Sequence, residues 1–407
     1  GRWGSWMRCL IQSAAPKGPA CRDKRLTMLN VEFTGAQVLG AQTLEARPLA
    51  VSEGRITAAP QPASVDLRGY IIMPGIVDVH GDGFERHLAP RRGAMKTMYE
   101  GLVAAEAELA ANGITTAVLA QFISWEGGLR GYEFADQVFG AIQSVSDTLV
   151  TDLRGQLRLE THLLDLFADL PERMADWGLS YIVFNDHLPH DRLAKGQVPK
   201  RMVGQALKAG RNPDDHLRMM QDLHAQSADV PGALDWLCKV LAGRGIQMGS
   251  HDDTTAEGRA VWRKRGVRVA EFPETLEAAE AAAAGGDHVV LGSPNVVRGG
   301  SHNGNVSAVD LITMGVGAAL ASDYHYPSPR RAAFMLADSG VLSLAQAWHL
   351  VSGGPAAVLG LSDRGEIATG KRADLLVLDA QTRRVAMTMA GGRVSYMSGD
   401  IAARFLR

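Results

Sequence analysis

Cysteine is scarce in this chain. Its 407 residues hold three, Cys9, Cys21 and Cys238, odd in number and far apart. That pattern excludes a disulfide framework and a zinc knuckle, and it points to a reducing cytoplasm. An excess of one charge is missing as well. The 42 Lys and Arg nearly balance 44 Asp and Glu, for a net charge of −2. No general attraction to nucleic acid or to an anionic membrane follows from that balance. No apolar run in the sequence reaches the length of a membrane helix. What is present, with 46% hydrophobic residues, supplies the core of one large domain and a small one.

Residues 1–27 are basic and irregular and lack the apolar core of a secretory signal. Met28 is read as a natural start, so 1–27 is taken as an extension outside the fold. An Arg-rich transit peptide is the alternative. Residues 28–72 alternate apolar and polar positions between Gly and Pro, the texture of a small β unit. From residue 73 short apolar strands alternate with Ala- and Leu-rich helical runs. The expected strands cover 75–80, 114–122, 156–165, 179–187, 246–253, 267–273, 288–294 and 317–325. The run "TMYEGLVAAEAELAANG" between the first two predicts a helix stopped at Gly113. Eight β and α units predict an α/β fold, a (β/α)8 TIM barrel over 73–360. A doubly wound sheet is the rival, but no Gly-x-Gly-x-x-Gly follows the first strand. Residues 361–407 return to short strands, so the two ends are expected to pair into one small β-sandwich. The charged segment 190–235 reads as a helical insertion over the site.

Five of these strands finish on side chains able to hold a metal. "GIVDVHGD" offers His80 and Asp82, two apart and on one face of a strand. The third strand offers Glu160 and His162, and the fourth Asp186 and His187. The fifth offers His251, Asp252 and Asp253, and the eighth Asp323 and His325. In a barrel all these ends lie on one face and converge. His87, His190, His216, His224, His288 and His349 lack that placement and read as surface or packing residues. A divalent metal held by His and carboxylates activates water for hydrolysis. A carboxylate beside that water can take its proton, and Asp323 is the candidate. Zinc is the expected ion, with Mn or Fe equally suited to such ligands.

Two further stretches suggest an anionic partner. In "SPNVVRGGSHNGN", Arg298, Ser301, His302 and Asn305 surround glycines that let backbone N–H groups approach a ligand. "APRRG" adds Arg91 and Arg92 after the first strand. Arginine suits phosphate, so a small phosphorylated substrate is expected, rather than nucleic acid or membrane.

"MPGIVDVH", the strand-end His and Asp, and "GEIATGKRADLLVLD" resemble the amidohydrolase superfamily of metal-dependent barrel hydrolases. Within it, "SHDDTT", "GSPNVVRGGSHNGNVSA" and "ASDYHYPSPRRAAF" are similar to the branch of alpha-D-ribose 1-methylphosphonate 5-triphosphate diphosphatases of the carbon–phosphorus lyase pathway. The resemblance implies hydrolysis of a 5′-triphosphate to a monophosphate with release of diphosphate. It implies metal ligands at His80, Asp82, His187 and His251, with Asp323 at the last strand. A homodimer is common in that superfamily. The sequence also departs from the branch. "HGDGFE" stands where the branch has "HTDN", and an ungapped match sets His162 on a glutamate that bridges two metals. Glu160 lies two residues before it, so either is open as the third-strand ligand, with one metal or two per chain. "PRR" replaces "PRP", and His325 and Arg330 are candidate contacts to a different substrate. Hydrolysis of a C–N bond in an anionic small molecule, by an amidase or deaminase, is the second reading. A metal-binding or regulatory protein with a decayed site is the third.

Overall fold

The computed structural model describes residues 28–89, 95, 97–300 and 305–406. All eight expected barrel strands are present. They are β1 (Ile76–Gly81), β2 (Ile114–Ile123), β3 (Asp152–Glu160), β4 (Tyr181–Asn185), β5 (Gln247–His251), β6 (Val269–Glu271), β7 (His288–Gly292) and β8 (Ala319–Ala321). They form one parallel sheet in chain order. The barrel closes where β1 meets β8: Gly81 bridges Asp323, and Asp323 N–H donates to the His80 carbonyl at 2.9 Å. Helices cover the outside, so the strands are apolar on both faces. All ten residues of β2 are buried, for instance. Val79, Val118, Val183, Val269 and Val290 fill the barrel interior.

The helix expected after β1 spans Met98–Ala111. Gly113 follows at φ +86° and donates its N–H to Ala110 O, a left-handed stop that a side chain would oppose. The third strand differs most from its expected range. It starts earlier and ends on Glu160, because the Leu163 N–H turns back to the Glu160 carbonyl. His162 therefore leaves the strand and its face. The segment after β4 is helical, with helices His190–Ala194, Met202–Lys208, Pro213–Ala225 and Val230–Gly243.

The two chain ends share a sheet. Leu375–Asp379 lies antiparallel to Tyr70–Pro74, with Val377 opposite Ile72. A four-stranded sheet around Val31–Thr34 packs with it over Phe33, Val51, Leu67, Leu375 and Met389. No helix of the described residues is long and apolar enough to cross a membrane.

Candidate metal centre at the barrel mouth

The seam that closes the barrel also builds the site. Asp82 N–H donates to the Asp323 carbonyl at 2.9 Å, so the ends of β1 and β8 are stitched together around these two carboxylates. Beneath them Asp78, fully buried, accepts the Ser322 N–H and hydroxyl at 2.9 and 2.5 Å. Among the described residues, five non-glycines have positive φ, and three of them stand at this mouth: Asp252, Phe272 and Asp323. Such backbone costs on the order of 1–3 kcal/mol each and gathers where function demands it.

His80 is fully buried. Its Nδ1 lies 2.7 Å from Glu271 Oε2. Glu271 Oε1 accepts from Tyr181 Oη at 2.6 Å and Gln156 Nε2 at 2.8 Å. The carboxylate thus stands close beside one nitrogen of the ring, without a well-directed hydrogen bond, where it can orient the ring as partners of metal-bound histidines do. His80 Nε2 is buried and finds no hydrogen-bond partner among the described residues. A buried lone pair without a donor fits a cation. The groups His80, His251, Glu271 and His187, His251, Asp252 each bring ligand atoms within 4.8 Å of one another.

Glu160 faces His187. Its Oε1 lies 2.5 Å from His187 Nδ1, and its Oε2 accepts the His187 N–H at 3.0 Å. His251 Nδ1 lies 3.0 Å from Asp252 Oδ2. Burial pushes His187 down, but Asp252 and Glu160 outweigh it and raise the ring to about 9. Burial, then Arg158, push His251 down to about 4. Burial, then Asp82, push Asp323 up to about 6. Imidazoles ligate in their neutral form, so a divalent cation held by these rings and carboxylates would displace the proton that His187 otherwise keeps. His80, Asp82, Glu160, His187, His251 and Asp323 are the groups that would hold it.

Arg158 completes the floor. It stacks on Phe122, 3.8 Å from the ring centroid, and its Nη2 lies 3.1 Å from Asn185 Oδ1 and 3.0 Å from His251 Nε2. Burial lowers its pKa, against the pull of Glu271, Asp82, Asp252 and Asp323. Gln156, Arg158 and Glu160 alternate on β3 and so share its inward face.

A cleft of about 220 Å³ opens on this floor. Its lining joins Arg158, His251, Asp252 and Asp323 to Arg298 and Asn305. Arg298 ends the helix Ser293–Arg298, which a left-handed Gly299 caps, and it donates to the Tyr324 hydroxyl. Asn305 Nδ2 donates to Glu274 Oε1 at 3.0 Å.

Other expected site residues lie elsewhere. His162 groups with Asp186 and His190. Asp253 accepts from Ser250 and from Arg259, a fully buried arginine that also pairs with Asp287. It is a structural carboxylate. His325 is half-buried outside the cleft lining, among the charges of Arg331, Arg86 and Glu108. Arg330 donates to the Arg383 carbonyl at 2.7 Å instead of facing the cleft. Arg91, Arg92, Ser301 and His302 lie outside the described residues. Arg158, Glu271 and Tyr181 also belong to the site, although the strand-end pattern does not mark them. A charged or polar residue inside an apolar strand, with period two toward the barrel, was the signal for each.

Comparison with known proteins agrees with this architecture. Residues 107–396 match the Amidohydrolase family. The alpha-D-ribose 1-methylphosphonate 5-triphosphate diphosphatase of Escherichia coli (strain K12) is 33% identical over 369 residues, covering 87% of this chain and 93% of that protein. Among solved structures, a Xaa-Pro dipeptidase with methionine bound in its active site superposes with TM-score 0.60 at 14% identity, over 91% of this chain and 100% of the other. N-acetylglucosamine-6-phosphate deacetylase from Pasteurella multocida gives TM-score 0.60 at 11% identity, over 90% and 99%. These distant structures share the fold. With a barrel closed at its own metal-capable seam and a family match over most of its length, the chain is a metal-dependent hydrolase and belongs to the amidohydrolase family.

Proposed function

We propose that this hydrolase cleaves the triphosphate of alpha-D-ribose 1-methylphosphonate 5-triphosphate, or of a related phosphorylated compound, and releases diphosphate. The observation that carries this reading is the single cleft in which Asp323 and His251 meet Arg298 and Asn305. The Escherichia coli relative, named for that reaction, supports it along nearly its whole length.

A divalent cation, zinc in this reading, would be held by His80, Asp82, Glu160, His187, His251 and Asp323, and it supplies Lewis acidity and a water of lowered pKa. The remaining steps belong to side chains. Asp323, raised toward neutrality by burial and by Asp82, takes a proton from the attacking water. An O–P bond forms from that water, the anhydride O–P bond breaks, and diphosphate leaves. Arg298, steadied by Tyr324, binds phosphate oxygens by charge-assisted hydrogen bonds. Arg158 stays on the floor and offsets the carboxylates around it. Glu271 holds His80 in one tautomer.

The test is product analysis. The purified, metal-loaded chain is offered ribose 5-triphosphate compounds, and diphosphate and monophosphate are measured. Equimolar diphosphate and monophosphate are expected. No diphosphate, together with ammonia or amine release from anionic amides, would replace this reading by C–N hydrolysis.

A further inference from the structure

Three histidines and a carboxylate cluster beside the principal centre without serving it. His162 follows β3, Asp186 follows β4, and His190 opens the first helix of the insertion. His162 Nδ1 lies 3.6 Å from Asp186 Oδ1. His190 Nε2 lies 3.1 Å from both Asp186 oxygens. One ligand atom from each of the three falls within 4.8 Å of the others. Tetrahedral zinc with bonds near 2.0–2.1 Å sets its ligand atoms about 3.3–3.5 Å apart. The two histidine–carboxylate separations, 3.6 and 3.1 Å, straddle that value.

The far sides of both rings carry the second signature of a metal site. His190 Nδ1 lies 2.7 Å from His224 Nδ1, and His162 Nε2 lies 3.2 Å from the Ser227 hydroxyl. Ser227 in turn donates to the His224 carbonyl at 2.6 Å. Each ring thus points one nitrogen toward Asp186, that of His162 lying also 3.3 Å from Thr161 Oγ1, and sets the other at the end of helix Pro213–Ala225. Metal-binding histidines are oriented in this way. A simple His–Asp pair needs one imidazole. Here two rings, 4.8 Å apart, converge on one carboxylate.

We propose that His162 Nδ1, Asp186 and His190 Nε2 form a second zinc-type site, distinct from the principal centre, that clamps the helical insertion onto the ends of β3 and β4. His224 and Ser227 orient its ligands. Asp186 is 43% exposed and His190 33%, so the fourth position faces solvent. Asp186 directly precedes His187, so the clamp also steadies the strand end that carries a principal ligand. The site is independent of which substrate the enzyme takes.

The test reads metal, not activity. Full-length wild type, His190→Gln and His251→Ala are loaded with zinc, dialysed and analysed for metal per chain, with circular dichroism as the folding control. His190→Gln is expected to lose about one equivalent. His251→Ala is expected to keep that equivalent, and cobalt(II) added to it should give the visible bands of a four-coordinate nitrogen–oxygen site. His224→Gln leaves every ligand in place and should weaken this zinc roughly ten- to a hundredfold. It also serves if His190→Gln does not fold. Equal zinc content in folded His190→Gln and wild type, or unchanged zinc affinity in His224→Gln, overturns the proposal.

Discussion

Two sets of histidines stand at neighbouring strand ends, and their surroundings differ. At the principal centre His80 is fully buried, and its orienting partners Glu271, Tyr181 and Gln156 all come from barrel strands. In the second set only His162 is buried, and the orienting partners His224 and Ser227 belong to the insertion. Groups held by strands are fixed by the same core that holds the fold. Groups shared with an inserted helix are ordered only when that helix is docked. The first set is therefore built before any cation arrives, while in our proposal the second gains part of its order from one.

The sharpest way to separate the two is to remove chemistry from one alone. Asp323→Asn should lower kcat by roughly 10²–10⁴-fold, since it deletes a proton acceptor. Metal content should stay near that of wild type. Normal turnover in this variant would take Asp323 out of the mechanism. Next in size is a structural change behind β5. Arg259→Ala leaves Asp253 buried without its cation, while Arg263 and Arg268 still pair with Asp287, and breaking this buried pair costs about 3–5 kcal/mol. Chemical denaturation should show that loss, and a change under 1 kcal/mol would mean the pair is dispensable.

Smaller effects touch binding. Arg298→Ala removes a charge-assisted contact of about 1.5–3 kcal/mol. KM for a phosphorylated substrate should rise roughly tenfold or more, with kcat less affected. An unchanged KM would show that this arginine does not meet phosphate. Glu271→Gln weakens the hold on His80 and should reduce metal affinity at the principal centre about ten- to a hundredfold. Zinc held by the His190 cluster should be untouched, which is the contrast the two surroundings demand. Competition with a chromogenic chelator measures both affinities.

Much of the fold was legible, because parallel strands buried on both faces read as apolar runs between helical ones. The stop at Gly113 and the pairing of the chain ends were readable for similar reasons: a left-handed turn and a return of period-two alternation. The site was only partly readable. Strand ends signposted His80, Glu160, His187, His251 and Asp323. The end of β3 was hidden because Leu163 N–H turns back to Glu160 while Thr161 N–H bonds Asn185 of β4, which together send His162 toward the insertion. Asp253 looked like a ligand until the buried Arg259 claimed it. Arg158 and Glu271 lie inside apolar strands, and only their period-two placement toward the barrel marks them. His190 and His224 were set aside because sequence spacing cannot show that a helix folds back onto a strand end.

If the barrel mouth is a metal-dependent hydrolytic centre for a triphosphate, turnover must follow the cation. The most direct measurement compares diphosphate release by the chain stripped with a chelator and by the same chain restored with zinc or manganese. No release from the stripped protein, recovery on restoration and no recovery in Asp323→Asn are expected. Full diphosphate release from the stripped protein would refute a metal-dependent mechanism.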